Sequence, residues 1–388
     1  MIDVLVISHA CFKSVNRKVY SRLAQDGLTI ELVVPKHLNY PAGKKQADPK
    51  QEGEPEITFV ELVGSNPRTY QYSGILEILD KKKPRYVLLD NDPVSRMTLT
   101  IGKWIKRNRA SKLLCLSCEN LSLSITAEVK RRGLKYLPIS LAKRFMLFRA
   151  KKVVDTVFTI NNAGTAIFKA EGFRNVIKTP LGFDASLFSI DDESRKRIRT
   201  ENKVQTNDKL IAYFGRLTYA KGVHVLLEAL SKLKQKGWTL MMDQFEEYSS
   251  GYEKELQQLI EQHDLAKNVV FVNPSHLEIS RYMNAADLVV VPSVSTGNWK
   301  EQYGRVIPEA MACGKTIIAS ASGAIPEILG EYGMLIEENQ PDVLASTISS
   351  WLNGENIVSK SPEEIARYSV DYFSIEAQVK VFQNIFSK

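Results

Sequence analysis

The chain has 388 residues, 44% of them hydrophobic and 25% charged, with a net charge of +8 and four cysteines. Those values fit about two globular domains and exclude a disordered chain or a disulfide scaffold. No run approaches the ~18–20 apolar residues of a membrane span. Ile2-Asp3-Val4-Leu5-Val6-Ile7 reads as a strand rather than a basic leader. The expectation is therefore a cytoplasmic protein.

From Val4–Ile7 onward the first half alternates strands with helices. Asn16–Gln25 reads as a helix with Ser14 as N-cap, Ile30–Val34 as a strand, and 36–56 as a long mobile loop. Strands follow at Ile57–Val63, Tyr86–Leu89, Lys112–Leu116 and Thr156–Ile160, with helices at Ile75–Lys82 and Ser95–Arg107 between them. Cys115 and Cys118 are spaced as CxxC, but no second pair stands at zinc spacing, so all four cysteines read as structural thiols.

Residues 191–206 are polar and read as a linker. The rhythm then restarts with strands at Leu210–Phe214, Trp238–Met242, Val269–Val272, Leu288–Val291, Thr316–Ser320 and Met334–Ile336. Helices are expected at Val223–Lys236, Tyr252–His263, from Ile307 and from Ile325. Two doubly wound parallel-sheet α/β domains follow from this pattern. Their expected ranges are 1–190 and 191–362, with a helical stretch 363–388 packing back toward the first domain.

Chemistry concentrates in the second half. Glu301-Gln302-Tyr303-Gly304-Arg305-Val306-Ile307-Pro308-Glu309 sets two carboxylates eight positions apart, one in a loop and one in the first turn of a helix. Gly304 lets backbone approach a ligand, and the helix start near Val306 presents N–H groups and positive dipole to a diphosphate. A carboxylate one turn in, Glu309, can accept both hydroxyls of a ribose. Gly215-Arg216-Leu217-Thr218-Tyr219-Ala220-Lys221-Gly222 follows a strand directly. Arg216 and Lys221, five apart across that loop, can both reach one anion. His9, Asn120 and Asn162 stand at strand ends of the first half, where ligands of open α/β sheets bind. His224, His263 and His276 receive no role.

Residues 211–336 resemble the donor domain of family 4 glycosyltransferases of the GT-B fold. Glu301 and Glu309 match that family's E-x7-E pattern, and Arg216 with Lys221 its diphosphate pair. Thr179-Pro180-Leu181-Gly182-Phe183-Asp184 and Gly323-Ala324-Ile325-Pro326-Glu327 resemble two of its turns. Asp90-Asn91-Asp92-Pro93 and Glu119-Asn120 stand where a subset has its own acidic and amide motifs. Three features depart from the family. No glycine pair follows the first strand, which runs into Ser8-His9-Ala10-Cys11. Asp243-Gln244-Phe245 stands where a G-x-G is usual, and no histidine lies near Cys118-Glu119.

The resemblance implies two Rossmann-like domains facing a cleft and a retaining, metal-independent sugar transfer from a UDP- or GDP-sugar. The acceptor would be a glycan or a lipid-linked sugar, in cell-surface polysaccharide or glycolipid synthesis. No cofactor and no metal are expected. Glu301, Arg216 and Lys221 would be catalytic; Glu309, Gly304, Arg305, Val306 and Gly215 would hold the donor; and His9, Asn120 and Asn162 would line the acceptor side. Two rivals stand beside this reading: an inactive nucleotide-sugar-binding partner of another transferase, favoured by the lost glycines at 243–245, and a sugar-nucleotide epimerase.

Charge is unevenly spread. Residues 1–190 hold 31 Lys and Arg against 17 Asp and Glu, a net +14, and the remainder 21 against 27, a net −6. Nine of those cations, and no acid, lie in 130–152, interleaved with Tyr136, Leu141, Phe145 and Phe148. That stretch is expected to meet an anionic membrane surface, making the protein peripheral on the inner face. Nucleic acid is not expected, since no reading motif accompanies the charge.

Overall fold

A computed structural model describes residues 2–40, 43–245 and 251–387. It divides into two compact units, Met1–Gly182 with Ile375–Lys388, and Phe183–Ser374.

The first unit is built on β1 (Val4–Ser8), α1 (Lys18–Gln25), β2 (Ile30–Pro35), a hairpin of β3 (His37–Tyr40) and β4 (Gly43–Gln46), and β5 (Glu56–Val60). The short pair β6 (Leu62–Val63) and β7 (Gln71–Tyr72) follows, then α2 (Ile75–Lys82), β8 (Tyr86–Asp90), α3 (Arg96–Arg107) and β9 (Lys112–Ser117). It continues with α4 (Ile125–Arg132), α5 (Leu137–Ala150), β10 (Val154–Thr159), α6 (Asn162–Ala170) and β11 (Asn175–Lys178). Seven strands form one sheet in the order β11-β10-β9-β8-β1-β2-β5, and each pairing is parallel. Alternate side chains take opposite faces. Leu5, Ile7, Val87, Leu89 and Leu113 join the core under α2, α3 and α5.

The other face of that sheet is covered from the far end of the chain. The last helix, Ile375–Phe386, sets Phe382 edge-on to Phe158 at 4.8 Å between centroids and Phe386 against Tyr86 at 5.4 Å. The Gly182 N–H donates to Gln378 Oε1 at 2.8 Å. The C-terminal stretch is thus two helices. Only the second belongs to the first unit, and the units part at 182/183 rather than near 190.

Two local expectations fail for identifiable reasons. The stretch 36–56, expected as a long mobile loop, is tied down over 48–54: Arg17, fully buried, donates to the carbonyls of Asp48 (2.6 Å) and Pro49 (3.0 Å) and pairs with Glu54 (3.1 Å). Ser14 does not cap α1. It opens a 3-10 turn, Ser14–Arg17, and its N–H donates instead to Asp48 Oδ2 at 2.9 Å.

The second unit opens on α7 (Asp192–Glu201), where a linker was expected. Asp191 caps it by accepting from the Ser194 N–H at 2.9 Å, and Arg195 and Arg199 both pair with Asp287. Then come β12 (Lys209–Tyr213), α8 (Val223–Ser231), β13 (Trp238–Asp243), α9 (Gly251–Gln262), β14 (Val269–Val272), α10 (Ile279–Ala285) and β15 (Leu288–Val291). They are followed by α11 (Val306–Ala312), β16 (Thr316–Ser320), α12 (Ile325–Leu329), β17 (Met334–Ile336), α13 (Pro341–Leu352) and α14 (Pro362–Phe373), with α15 the terminal helix already placed. Six strands run β14-β13-β12-β15-β16-β17, and each pairing is parallel. The strand order reverses beside β12, where ligands of open α/β sheets bind, outside the carboxyl ends of the strands.

Candidate functional site

At that reversal two loops are held together by backbone. β12 runs out into Gly215–Gly222, which ends in a 3-10 turn at Tyr219–Lys221. Gly222 has φ +68°, and a Cβ there would lie 1.8 Å from the Pro292 carbonyl oxygen, so only glycine fits. The Val294 N–H donates to the Ala220 carbonyl at 2.9 Å. Tyr219 stacks on His224 at 4.6 Å, and His224 Nδ1 lies 2.8 Å from the Tyr252 hydroxyl, so the turn rests on a packed aromatic base.

Pinned in this way, Lys221 sets its Nζ 2.5 Å from Glu301 Oε2, with the two side chains 19% and 7% exposed. Ser293 Oγ donates to the same carboxylate oxygen at 3.0 Å, and the ammonium lies 5.2 Å from the centre of the Trp299 ring. Glu301 is fixed from behind as well. Its carbonyl accepts from the Ala324 N–H at 2.9 Å, and a Cβ on Gly323 (φ +55°) would stand 2.0 Å from that carbonyl oxygen. The Gly323–Glu327 turn therefore positions Glu301 through close backbone approach. Gly304 lies against it, with its ideal Cβ position 3.6 Å from Glu301 Cγ.

Glu309 lies in the first turn of α11 and is buried. Burial pushes its carboxyl up to about 7, with the Arg305 charge pulling the other way. Val306 opens the helix and Arg305 precedes it as N-cap. Arg216 is exposed, and its side chain makes no ion pair among the described residues. Its carbonyl accepts from the Tyr213 hydroxyl at 2.9 Å. The Gly215 N–H donates to Asp243 Oδ2 at 2.8 Å, and burial raises the Asp243 carboxyl. Asp243, at the position where the resemblance led to an expected glycine, thus bonds the loop backbone. The Phe245 ring lies against Phe271 at 5.1 Å, and Gln244 is exposed. Of the residues singled out from sequence, Lys221, Glu301 and Gly304 are brought into contact. Arg216 stands five positions before Lys221 in the same loop, and Glu309 in the first turn of α11.

The first unit has its own polar edge. Ser8 Oγ donates to Asp90 Oδ2 at 2.5 Å, and Ser117 Oγ donates to Asp92. Arg68 lies 2.5 Å from Glu119 and 3.6 Å from Asp92. Burial, and then the Asp92 charge, raise the Glu119 carboxyl against the pull of Arg68. His9 packs edge-on to Tyr70 at 5.6 Å, and its Nδ1 is buried with no hydrogen-bond partner among the described residues. The Asn120 N–H donates to Glu119 Oε1 at 3.2 Å, and Asn162 accepts from Lys178 Nζ at 2.9 Å. These three candidates follow β1, β9 and β10. Arg68 and Ser293 were missed in the sequence: Arg68 comes from an irregular loop, and Ser293 is one serine among many.

Residues 194–370 match the model of the family described as glycosyl transferases group 1. A D-inositol 3-phosphate glycosyltransferase of Mycobacterium marinum is 30% identical over 191 residues, 48% of this chain and 39% of that protein. The chain spans about half the length, or less, of the curated relatives it matches. Among solved structures, Anabaena Alr3699/HepE in complex with UDP aligns over 100% of both chains at TM-score 0.76 and 19% identity. WaaG, a glycosyltransferase involved in lipopolysaccharide biosynthesis, aligns over 99% of each chain at TM-score 0.70 and 16% identity. That likeness establishes the GT-B architecture of two Rossmann-like units. The sequence match lies on the second unit, so the Lys221–Glu301 pair sits within the stretch that matches the glycosyl transferases group 1 model.

Proposed function

We propose that this chain is a retaining, metal-independent glycosyltransferase that takes its sugar from a UDP- or GDP-sugar. The observation that carries the reading is the part-buried Lys221–Glu301 pair, held by two glycine-enforced loop contacts at the strand-order reversal of a unit matching glycosyl transferases group 1. The UDP seen with the Anabaena protein of the same fold supports a nucleotide-sugar donor.

In this mechanism Lys221 and Arg216 receive the charge that develops on the leaving diphosphate. Preorganised charge of this kind commonly supplies more of an enzyme's rate enhancement than any other single effect. An ammonium has three protons to donate, so Lys221 can hold Glu301 and still face a phosphate oxygen. Glu301 orients hydroxyls of the donor sugar and supports positive charge at the anomeric carbon. Glu309, in its charged form, accepts from the ribose hydroxyls, with Gly215, Gly304, Arg305 and Val306 lining the nucleotide. The bond from the anomeric carbon to the phosphate oxygen breaks as the bond to the acceptor oxygen forms on the same face. The acceptor proton passes to the leaving phosphate. Acceptor recognition, of a glycan or lipid-linked sugar, is assigned to the first unit through His9, Asn120 and Asn162.

Incubation of the purified chain with radiolabelled UDP- and GDP-sugars tests this. Transfer or slow hydrolysis with the anomeric configuration kept is expected from the wild type, and about 10²–10³-fold less of it from Lys221→Ala. Donor uptake without turnover would instead mark the inactive-partner reading that Asp243-Gln244-Phe245 favours.

A further inference from the structure

α5 carries apolar side chains on every side, yet only Ser140, Leu147 and Ala150 are buried. Leu147 and Ala150 turn into the core of the first unit. Leu141, Phe145 and Phe148, spaced four and three apart and so on one face, are 52%, 61% and 52% exposed. Leu134 (74%) and Ile139 (49%) are also exposed, at the N-terminal end of the stretch. Exposed large apolar groups are ordinary singly but mark an interaction surface when they are contiguous.

Four of the cations of this stretch fall into two groups. Lys143 pairs with Glu128, and Arg144 with Glu171 at 2.6 Å, so those two are neutralised on the unit's own surface. Arg149 and Lys152 instead lie over the exposed rings, Arg149 5.8 Å from the centre of Phe145 and Lys152 4.0 Å from that of Phe148. Lys130 and Lys135 stand exposed at the other end. The face therefore carries aromatic groups with cations alongside them and no acid between 130 and 152.

We infer that this face of α5 docks the chain on an anionic lipid bilayer. Leu141, Phe145 and Phe148 enter the headgroup boundary while Arg149 and Lys152 meet lipid phosphates. Charge complementarity selects the partner: rings that enter the acyl boundary beside cations that stay with the headgroups suit a bilayer. A nucleic-acid duplex or an acidic protein surface would use the charge and leave the rings unmatched. The inference rests on the first unit's surface and stands apart from the transferase reading.

Sedimentation of the full chain with vesicles tests it. Binding is expected to phosphatidylcholine vesicles containing phosphatidylglycerol, not to phosphatidylcholine alone, and to weaken at high salt. Arg149→Gln with Lys152→Gln should lower the partition about 30-fold, roughly fivefold per charge. Phe145→Ser with Phe148→Ser should lower it at least about tenfold, while Leu277→Ser, an exposed apolar position in the second unit, should leave it unchanged. Phe145→Trp should show a blue-shifted emission on the anionic vesicles and none with heparin. Wild-type binding by the double Phe variant, or an equal Trp shift with heparin, would overturn the inference and point to a soluble polyanion.

Discussion

The carboxyl ends of the second unit's strands hold a lysine against one buried glutamate, whereas those of the first unit gather Asp90, Asp92 and Glu119 around Arg68 and two serines. Both edges belong to parallel sheets whose order reverses next to a central strand, β12 in one and β1 in the other. The same architecture thus serves opposite electrostatics. A cation-bearing edge suits a diphosphate, and an edge rich in acceptors suits a ligand of hydroxyls. The difference lies in the strand ends and the loops that follow them, since the central strands of both sheets are otherwise almost wholly apolar.

Removing the cation from the second edge should have the largest effect. Lys221→Ala is expected to lower the transfer rate about 10²–10³-fold, or ~3–4 kcal/mol. It should also lower stability, because Glu301 would remain buried without its partner. Steady-state kinetics beside urea unfolding separate the two losses. Next comes the backbone that makes the edge. Gly222→Ala puts a Cβ 1.8 Å from the Pro292 oxygen at a positive φ. It should cost about 3 kcal/mol in urea unfolding. An unchanged midpoint would mean that the two loops need no such approach.

Glu309 gives a signed pH test. Its folded carboxyl sits at about 7 against an ordinary 4.5. Between those values the folded state binds more protons than the unfolded one, so this group's contribution to stability falls as pH rises. Glu309→Gln should therefore stabilise the protein at about pH 8, by up to ~3 kcal/mol, and do little near pH 5. Donor binding by the variant should weaken. A stability difference that does not change with pH would remove Glu309 from its buried setting. The smallest effect belongs to the first edge: Arg68→Ala should destabilise by about 1–2 kcal/mol, since Glu119 is buried beside Asp92. It should leave donor-induced stabilisation intact.

The two edges also differ in how much of them the sequence reveals. In the second unit the chemistry is local: Gly215–Gly222 and Glu301–Glu309 are continuous motifs, and Gly222 and Gly323 are explained by backbone contacts found where the motifs meet. Strands with continuous apolar runs were legible for the same reason, because burial on both faces leaves its mark residue by residue. The first edge is assembled from Ser8 and Asp90, Arg68 and Glu119, Asp92 and Ser117, whose partners lie 25 to 82 positions apart. Nothing in a single chain pairs them. The buried Arg17 that ties down 48–54 and the Arg195–Asp287 bond that fixes α7 were hidden in the same way. Each made a charged stretch look like solvent-exposed loop.

The central claim is that one nucleotide-sugar lies against Lys221 and Arg216, and thermal shift in the presence of UDP-, GDP- and ADP-sugars tests it most directly. A ligand at 100 times its Kd stabilises by about 2.7 kcal/mol, so one donor should stand out for the wild type. Lys221→Ala and Arg216→Ala should each abolish its shift. The same shift surviving in both variants would show that the phosphates bind elsewhere and contradict the account.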